Sequence, residues 1–153
     1  MIRTVPAMQV IYFSTTATLQ TLSSLVGTVA EELYQQAAAS KVLPVGPIQW
    51  IYYGADGKPE TTFLLEIALP LAARPKDTGR FQFRELPAFQ CLSRIHKGDW
   101  KFMYETYEHL IDDAITARYE LAGVNREQYL LMDFNNPANH CTEVCVGIQE
   151  IAS

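Results

Sequence analysis

Arg3-Thr-Val-Pro-Ala-Met-Gln9 is echoed 81 positions later by Arg84-Glu-Leu-Pro-Ala-Phe-Gln90, with four of the seven positions identical. A chain that restates itself at this spacing is constrained to build two copies of one supersecondary unit. Read without a gap, the same offset aligns Ile48 with Tyr129 and Thr61 with Thr142. Only six identities survive over the whole overlap (Arg3, Pro6, Ala7, Gln9, Thr61 and Ile67 with their partners), so the repeat lives in the order of strands, helix and turns. Two half-units of this size are each marginal alone, and a chain of 153 residues with 48% hydrophobic composition is expected to form one cooperative domain.

In the first copy, residues 7–13 read as a strand. Thr15, Thr16 and Thr18 offer N-caps, and Leu19, Leu22, Val26, Val29, Leu33 and Ala37 follow at helical spacing, which predicts a helix over 18–39. Pro44, Gly46 and Pro47 break the chain before a strand at 48–53. The turn Gly54-Ala-Asp-Gly57 leads to a third strand at 61–69. The second copy repeats the order: a strand at 87–95, a loop His96-Lys-Gly-Asp99, a helix at 100–118, and strands at 128–134 and 142–150. Residues 72–80 are polar and rich in breakers and read as a linker between module 1 (about 1–71) and module 2 (about 81–153). The predicted class is α+β, a tandem β-α-β-β duplication with antiparallel sheets, two long helices and a ligand groove at the module junction.

Charge and cysteines narrow the function. The net charge is −5 and the basic residues are scattered, which disfavours direct nucleic-acid binding. No apolar run reaches membrane-spanning length and the start carries no signal-peptide core. With an odd number of cysteines (Cys91, Cys141 and Cys145), a reduced, cytoplasmic protein is expected.

The second copy resembles a known family. Leu86-Pro-Ala-Phe-Gln90, His96-Lys-Gly-Asp-Trp100 opening a helix with Tyr107 and Leu110, Tyr129-Leu-Leu-Met-Asp133, and Thr142-Glu-Val-Cys-Val-Gly-Ile148 are similar to the GyrI-like effector-binding domains. Such domains also stand at the C-termini of AraC- and MerR-type transcription regulators, and a related haem-binding branch is known as SOUL. The resemblance implies paired β-α-β-β modules and a groove in which aromatics surround a Glu that meets cationic, lipophilic ligands, with Glu143 of the Thr142-Glu143 pair at the matching position. It also implies a stand-alone member, since the chain starts directly with the effector-type domain. One departure is Gly147-Ile148, where the family carries Pro-Ile.

Strand alternation gives an independent reading of the site. In the strand 61–69 the set Phe63, Leu65, Ile67 and Leu69 is wholly apolar and should face the helix, leaving Glu66 on the other face. The 81-residue register then carries Thr62 onto Glu143 and Glu66 onto Gly147, so both acids fall on the face away from the helix. Trp50, Tyr52, Tyr129 and Asp133 lie beside them on the middle strands, and Trp100 opens the second helix. A carboxylate among such rings supplies charge neutralisation, stacking and cation–π attraction. The candidate ligand residues are therefore Glu143, Glu66, Trp50, Tyr52, Tyr129 and Trp100, and the expected ligand is a small aromatic or lipophilic cation.

The same pocket admits hydrolysis of a reactive small molecule, such as a cyclopropane-bearing one, with Glu143 as acid or base. A protein-interaction role, such as topoisomerase inhibition, is a third alternative. Metal binding is not expected, because Cys141 and Cys145 lack the tight spacing of a zinc site. No cofactor is expected; haem is the alternative, with His96, His109 and His140 as available ligands. No nucleophile motif of the Gly-x-Ser-x-Gly kind is present.

Overall fold

The computed structural model describes residues 2–22, 24 and 27–150, Glu150 by its backbone alone. The described chain is an α+β fold of eight antiparallel strands and two helices, and it divides into two compact units. One unit is Pro6–Ala88. The other joins the described residues up to Val5 with those from Phe89 onward. The division therefore falls at the two Pro-Ala pairs of the echo, Pro6-Ala7 and Pro87-Ala88, and not at the linker expected over 72–80. Proline lacks the N–H a ladder needs, so each pair ends one strand and lets the chain start another in the other unit.

The unit Pro6–Ala88 contains β2 (Met8–Ala17), α1 (Val29–Ala39), β3 (Gln49–Tyr53), β4 (Phe63–Pro70) and β5 (Gln82–Leu86), with sheet order β3-β4-β2-β5. Strand β2 outruns its expected end, because Thr15 and Thr16 are β-branched and continue the ladder opposite Leu65 and Leu64. The capping threonine is instead Thr18, whose Oγ1 accepts from the Thr21 N–H at 3.2 Å. The helix α1 is shorter than the predicted 18–39. Leu22 and Ser24 are helical, but Gly27 at φ +41° and Thr28 form a turn before Val29. Val26, part of the expected apolar stripe, lies outside the described residues with Ser23 and Leu25. The buried positions Val29, Leu33 and Ala37 hold α1 against the sheet.

The second unit contains β1 (Ile2–Val5), β6 (Phe89–Lys97), a 3₁₀ turn Trp100–Phe102, α2 (Met103–Thr116), β7 (Tyr119–Leu131) and β8 (Cys141–Glu150), in sheet order β1-β6-β8-β7. Asp99 caps the turn by accepting from the Lys101 N–H at 3.0 Å. Its core is Leu92, Met103, Leu110, Ala114, Val144, Val146 and Ile148, with Trp100, Tyr107 and Tyr119 packed against it. Strand β7 begins nine residues before the expected 128, directly after α2, and carries an irregularity between Leu121 and Asn125 where Gly123 has φ +80°.

The ladders correct the repeat. Ser14 pairs with Glu66 in one unit, and Ile95, 81 residues after Ser14, pairs with Glu143 in the other. Ile51 faces Glu66 as Gln128 faces Glu143. The counterpart of Glu66 is therefore Glu143, an offset of 77, and not Gly147. The helices obey the same offset: Val29, Leu33 and Ala37 answer Thr106, Leu110 and Ala114. So do Lys41 (φ 57°) and Arg118 (φ 63°), the only non-glycine residues with positive φ among those described. The repeat is thus in register at 81 through β1–β2 and β5–β6, then loses four residues before the helix.

Candidate functional site

Pairing and alternation place each predicted residue on one face of its sheet. In the unit Pro6–Ala88, Trp50 and Tyr52 pair with Ile67 and Leu65, so they share the face of Phe63, Leu65 and Ile67. Tyr52 packs on Phe63 with ring centroids 5.6 Å apart, and Trp50 lies 6.5 Å from Tyr52. Glu66 points to the opposite face, as expected, but no aromatic wall of Trp50 and Tyr52 surrounds it there. Its Oε1 accepts from Tyr53 Oη at 3.0 Å and from Arg84, whose guanidinium also donates to Tyr53 Oη at 2.7 Å and lies 4.9 Å from the Tyr12 ring centroid. Burial, and next the Glu66 charge, push the Tyr53 phenol above its ordinary pKa.

The second unit repeats this ion pair. Arg3 donates to Glu143, which also lies away from the core-facing side of its sheet. The hydrogen bond to Glu143 holds the Arg3 guanidinium above its usual pKa. The conserved spacing of the echo thus has a physical content: each of its arginines, Arg3 and Arg84, meets one of the two equivalent glutamates. Beside Arg3 on the same face are the buried thiols of Cys91, its cross-strand partner, and Cys145, neither in a disulfide. Their mutual hydrogen bond holds Cys91 low and, with burial, pushes Cys145 up.

The aromatics Trp100 and Tyr129 lie on the other face of that sheet, with α2. Tyr129 pairs with Thr142 on β8, and Trp100 Nε1 donates to Thr142 Oγ1 at 3.0 Å. The Trp100 and Tyr129 rings meet edge-on at 5.4 Å. The carboxylate that Tyr129 meets is one that sequence reading missed, Glu127. It is two residues before Tyr129, shares its face, and is only 6% exposed. Tyr107 from α2 donates to its Oε2 at 2.5 Å, and Tyr129 donates to its Oε1. The signal was present: Glu127-Gln-Tyr129 has the right parity, but a strand read as starting at 128 leaves Glu127 in a loop. Asp133 does not join the cluster. It organises the β7–β8 turn by accepting from the Asn135 and Asn136 N–H groups and from Asn139, which hold its carboxyl below the usual range.

The two units differ at this face. At an offset of 77, Trp50 occupies the ladder position of Glu127, Leu65 that of Thr142 and Val29 that of Thr106, while Tyr52 answers Tyr129. One unit presents an aromatic and aliphatic surface where the other presents a carboxylate and hydroxyls.

Two of the three histidines, His96 and His140, are engaged within the protein, and His109 is exposed on α2. His96 is buried, with Nδ1 2.8 Å from Thr106 Oγ1 and Nε2 2.9 Å from the Asp99 carbonyl, at the helix start. Among the described residues no group of three or more His, Cys, Asp or Glu is placed to hold a metal ion, and no helix is long and apolar enough to cross a membrane.

The fold is found in solved proteins. The C-terminal domain of EcmrR superposes with a TM-score of 0.81 at 16% identity, covering 99% of this chain and 97% of that one. In the complex of EcmrR with DNA the TM-score is 0.82 at 17% identity, and this chain spans 57% of the EcmrR chain. SAV2435 bound to tetraphenylphosphonium gives a TM-score of 0.66 at 11% identity over 97% of this chain and 93% of that one. No curated protein matches the sequence. Residues 1–149 match the GyrI-like small molecule binding domain, and the chain belongs to that family.

Proposed function

We propose that the domain binds an aromatic, lipophilic cation, with Glu127 as its counter-ion and Trp100, Tyr107 and Tyr129 as the surrounding rings. The observation that carries this reading is the buried Glu127 carboxylate, which accepts two phenolic hydrogen bonds amid aromatic side chains. Hydrogen bonds to a carboxylate favour its charged form, and the ring faces attract positive charge that has little hydration to lose. The fold shared with a tetraphenylphosphonium-bound protein supports the ligand class.

The test is calorimetric titration with tetraphenylphosphonium. Glu127→Gln keeps the shape and removes the charge, and its affinity should fall by roughly tenfold or more. Glu143→Gln should stay within about threefold of the parent, well short of the loss that follows removal of a buried counter-ion. Equal affinity for the parent and Glu127→Gln refutes the assignment. A drop confined to Glu143→Gln would move the site to the other face of the sheet.

A further inference from the structure

His140 is 3% exposed and stands at the start of β8, where its ring stacks on the Trp100 indole with centroids 4.1 Å apart and planes 14° apart. Its Nδ1 accepts from the Asp133 N–H at 2.9 Å, which places the proton of the neutral ring on Nε2 and fixes the imidazole plane from the β7–β8 turn. Trp100 is thereby held on three sides: flat against His140, by its N–H on Thr142, and edge-on to Tyr129. Because the indole N–H is spent on Thr142, Trp100 can offer a ligand its ring but no hydrogen-bond donor. Tyr129 then passes the constraint to Glu127, to which its hydroxyl donates.

We propose that His140 is a positioning residue for ligand binding: its stack sets the plane of Trp100 and, through Tyr129, the placement of the Glu127 carboxylate, selecting ligands that present aryl surface. This rests on the site proposed above. Its distinguishing prediction is that the flat ring matters more than the nitrogen. His140→Phe keeps a ring against the indole and loses the Nδ1 acceptor. His140→Asn keeps an acceptor for the Asp133 N–H and loses the stack.

Two measurements on the full chain decide it. In titrations with tetraphenylphosphonium, His140→Asn should bind about five- to tenfold more weakly and His140→Phe within about threefold of the parent, the scale of one aromatic pair. In ¹⁵N spectra without ligand, the Trp100 indole N–H should exchange faster with solvent in His140→Asn and unchanged in His140→Phe. Parent-like affinity and parent-like exchange in His140→Asn overturn the proposal. So do equal losses in both variants that track an equal fall in melting temperature, since that is a purely structural role of the turn. If Glu127→Gln leaves binding unchanged, the ligand reading falls, yet indole exchange still decides whether His140 orients Trp100.

Discussion

Replacing Gly147 with alanine isolates one packing constraint in β8. The residue has no positive φ, so backbone strain is not the issue. A Cβ there would lie 2.4 Å from the Val124 carbonyl oxygen and 2.9 Å and 3.0 Å from two atoms of the Phe89 ring. Phe89 is itself capped by the Arg126 guanidinium 4.2 Å from its centroid, so the ring cannot swing away freely. The carbonyl belongs to the irregular stretch of β7 between Leu121 and Asn125 and is fixed by the ladder on either side. Overpacking of this kind costs about 1–3 kcal/mol, and a backbone oxygen as the obstacle argues for the upper half. For a domain of this length that corresponds to a fall of roughly 4–10 °C in Tm. Thermal and urea unfolding of Gly147→Ala measure it directly. Adding Phe89→Leu should recover only part of the loss, because the Val124 oxygen remains. A Gly147→Ala protein within about 0.5 kcal/mol of the parent, the range of an uneventful surface change, would refute the reasoning.

Other consequences are as direct. Arg84→Ala leaves the Glu66 carboxylate, 4% exposed, with Tyr53 as its remaining described donor, and should destabilise the fold by about 3 kcal/mol, while Arg3→Ala, beside the more exposed Glu143, should cost roughly 1 kcal/mol; paired urea melts give the difference. The Tyr53 phenol has a raised folded-state pKa, so its contribution to stability is complete below the ordinary tyrosine value and is lost as pH rises through the folded one. Difference absorbance titration of the parent against Tyr53→Phe should show the missing phenol ionising late, and an ordinary midpoint would contradict the burial argument. The Asp133 carboxyl is depressed, so the order it gives the β7–β8 turn is present above the usual carboxylate range and lost as pH falls through its folded value. Amide exchange at Asn135 and Asn136 should accelerate only at that acid end, and in Asp133→Asn the acid step should vanish.

Much of the architecture was legible because hydrophobic period and turn chemistry agree with the tertiary answer. The β-α-β-β order, the Asp99 cap and the outward parity of Glu66 and Glu143 follow from local rules. What failed was the assumption of a gapless repeat. Four residues are lost between strand and helix, where the two copies share no identical residue, so identity could not show the slip; only the ladders pairing Ser14 with Glu66 and Ile95 with Glu143 do. The same slip hid the equivalence of Trp50 with Glu127. Grouping the aromatics with Glu143 failed for a second reason: alternation is absolute within a strand but says nothing about which strand's face a neighbour shares until pairing is known. The division at Pro6 and Pro87 was equally hidden, since a proline reports where a ladder stops and not which strand the next one pairs with.

The placement of β1 has a consequence for how the molecule is made. Pro6–Ala88 is contiguous in sequence and can pair its own four strands once Leu86 has left the ribosome. Strand β1 is synthesised before all of it, yet its partner β6 does not begin until Phe89. Ile2–Val5 therefore spends the whole synthesis of the first unit as an unpaired edge, waiting across more than half the chain for the sheet that receives it. Its short length and the charge of Arg3 both disfavour a wrong pairing in that interval.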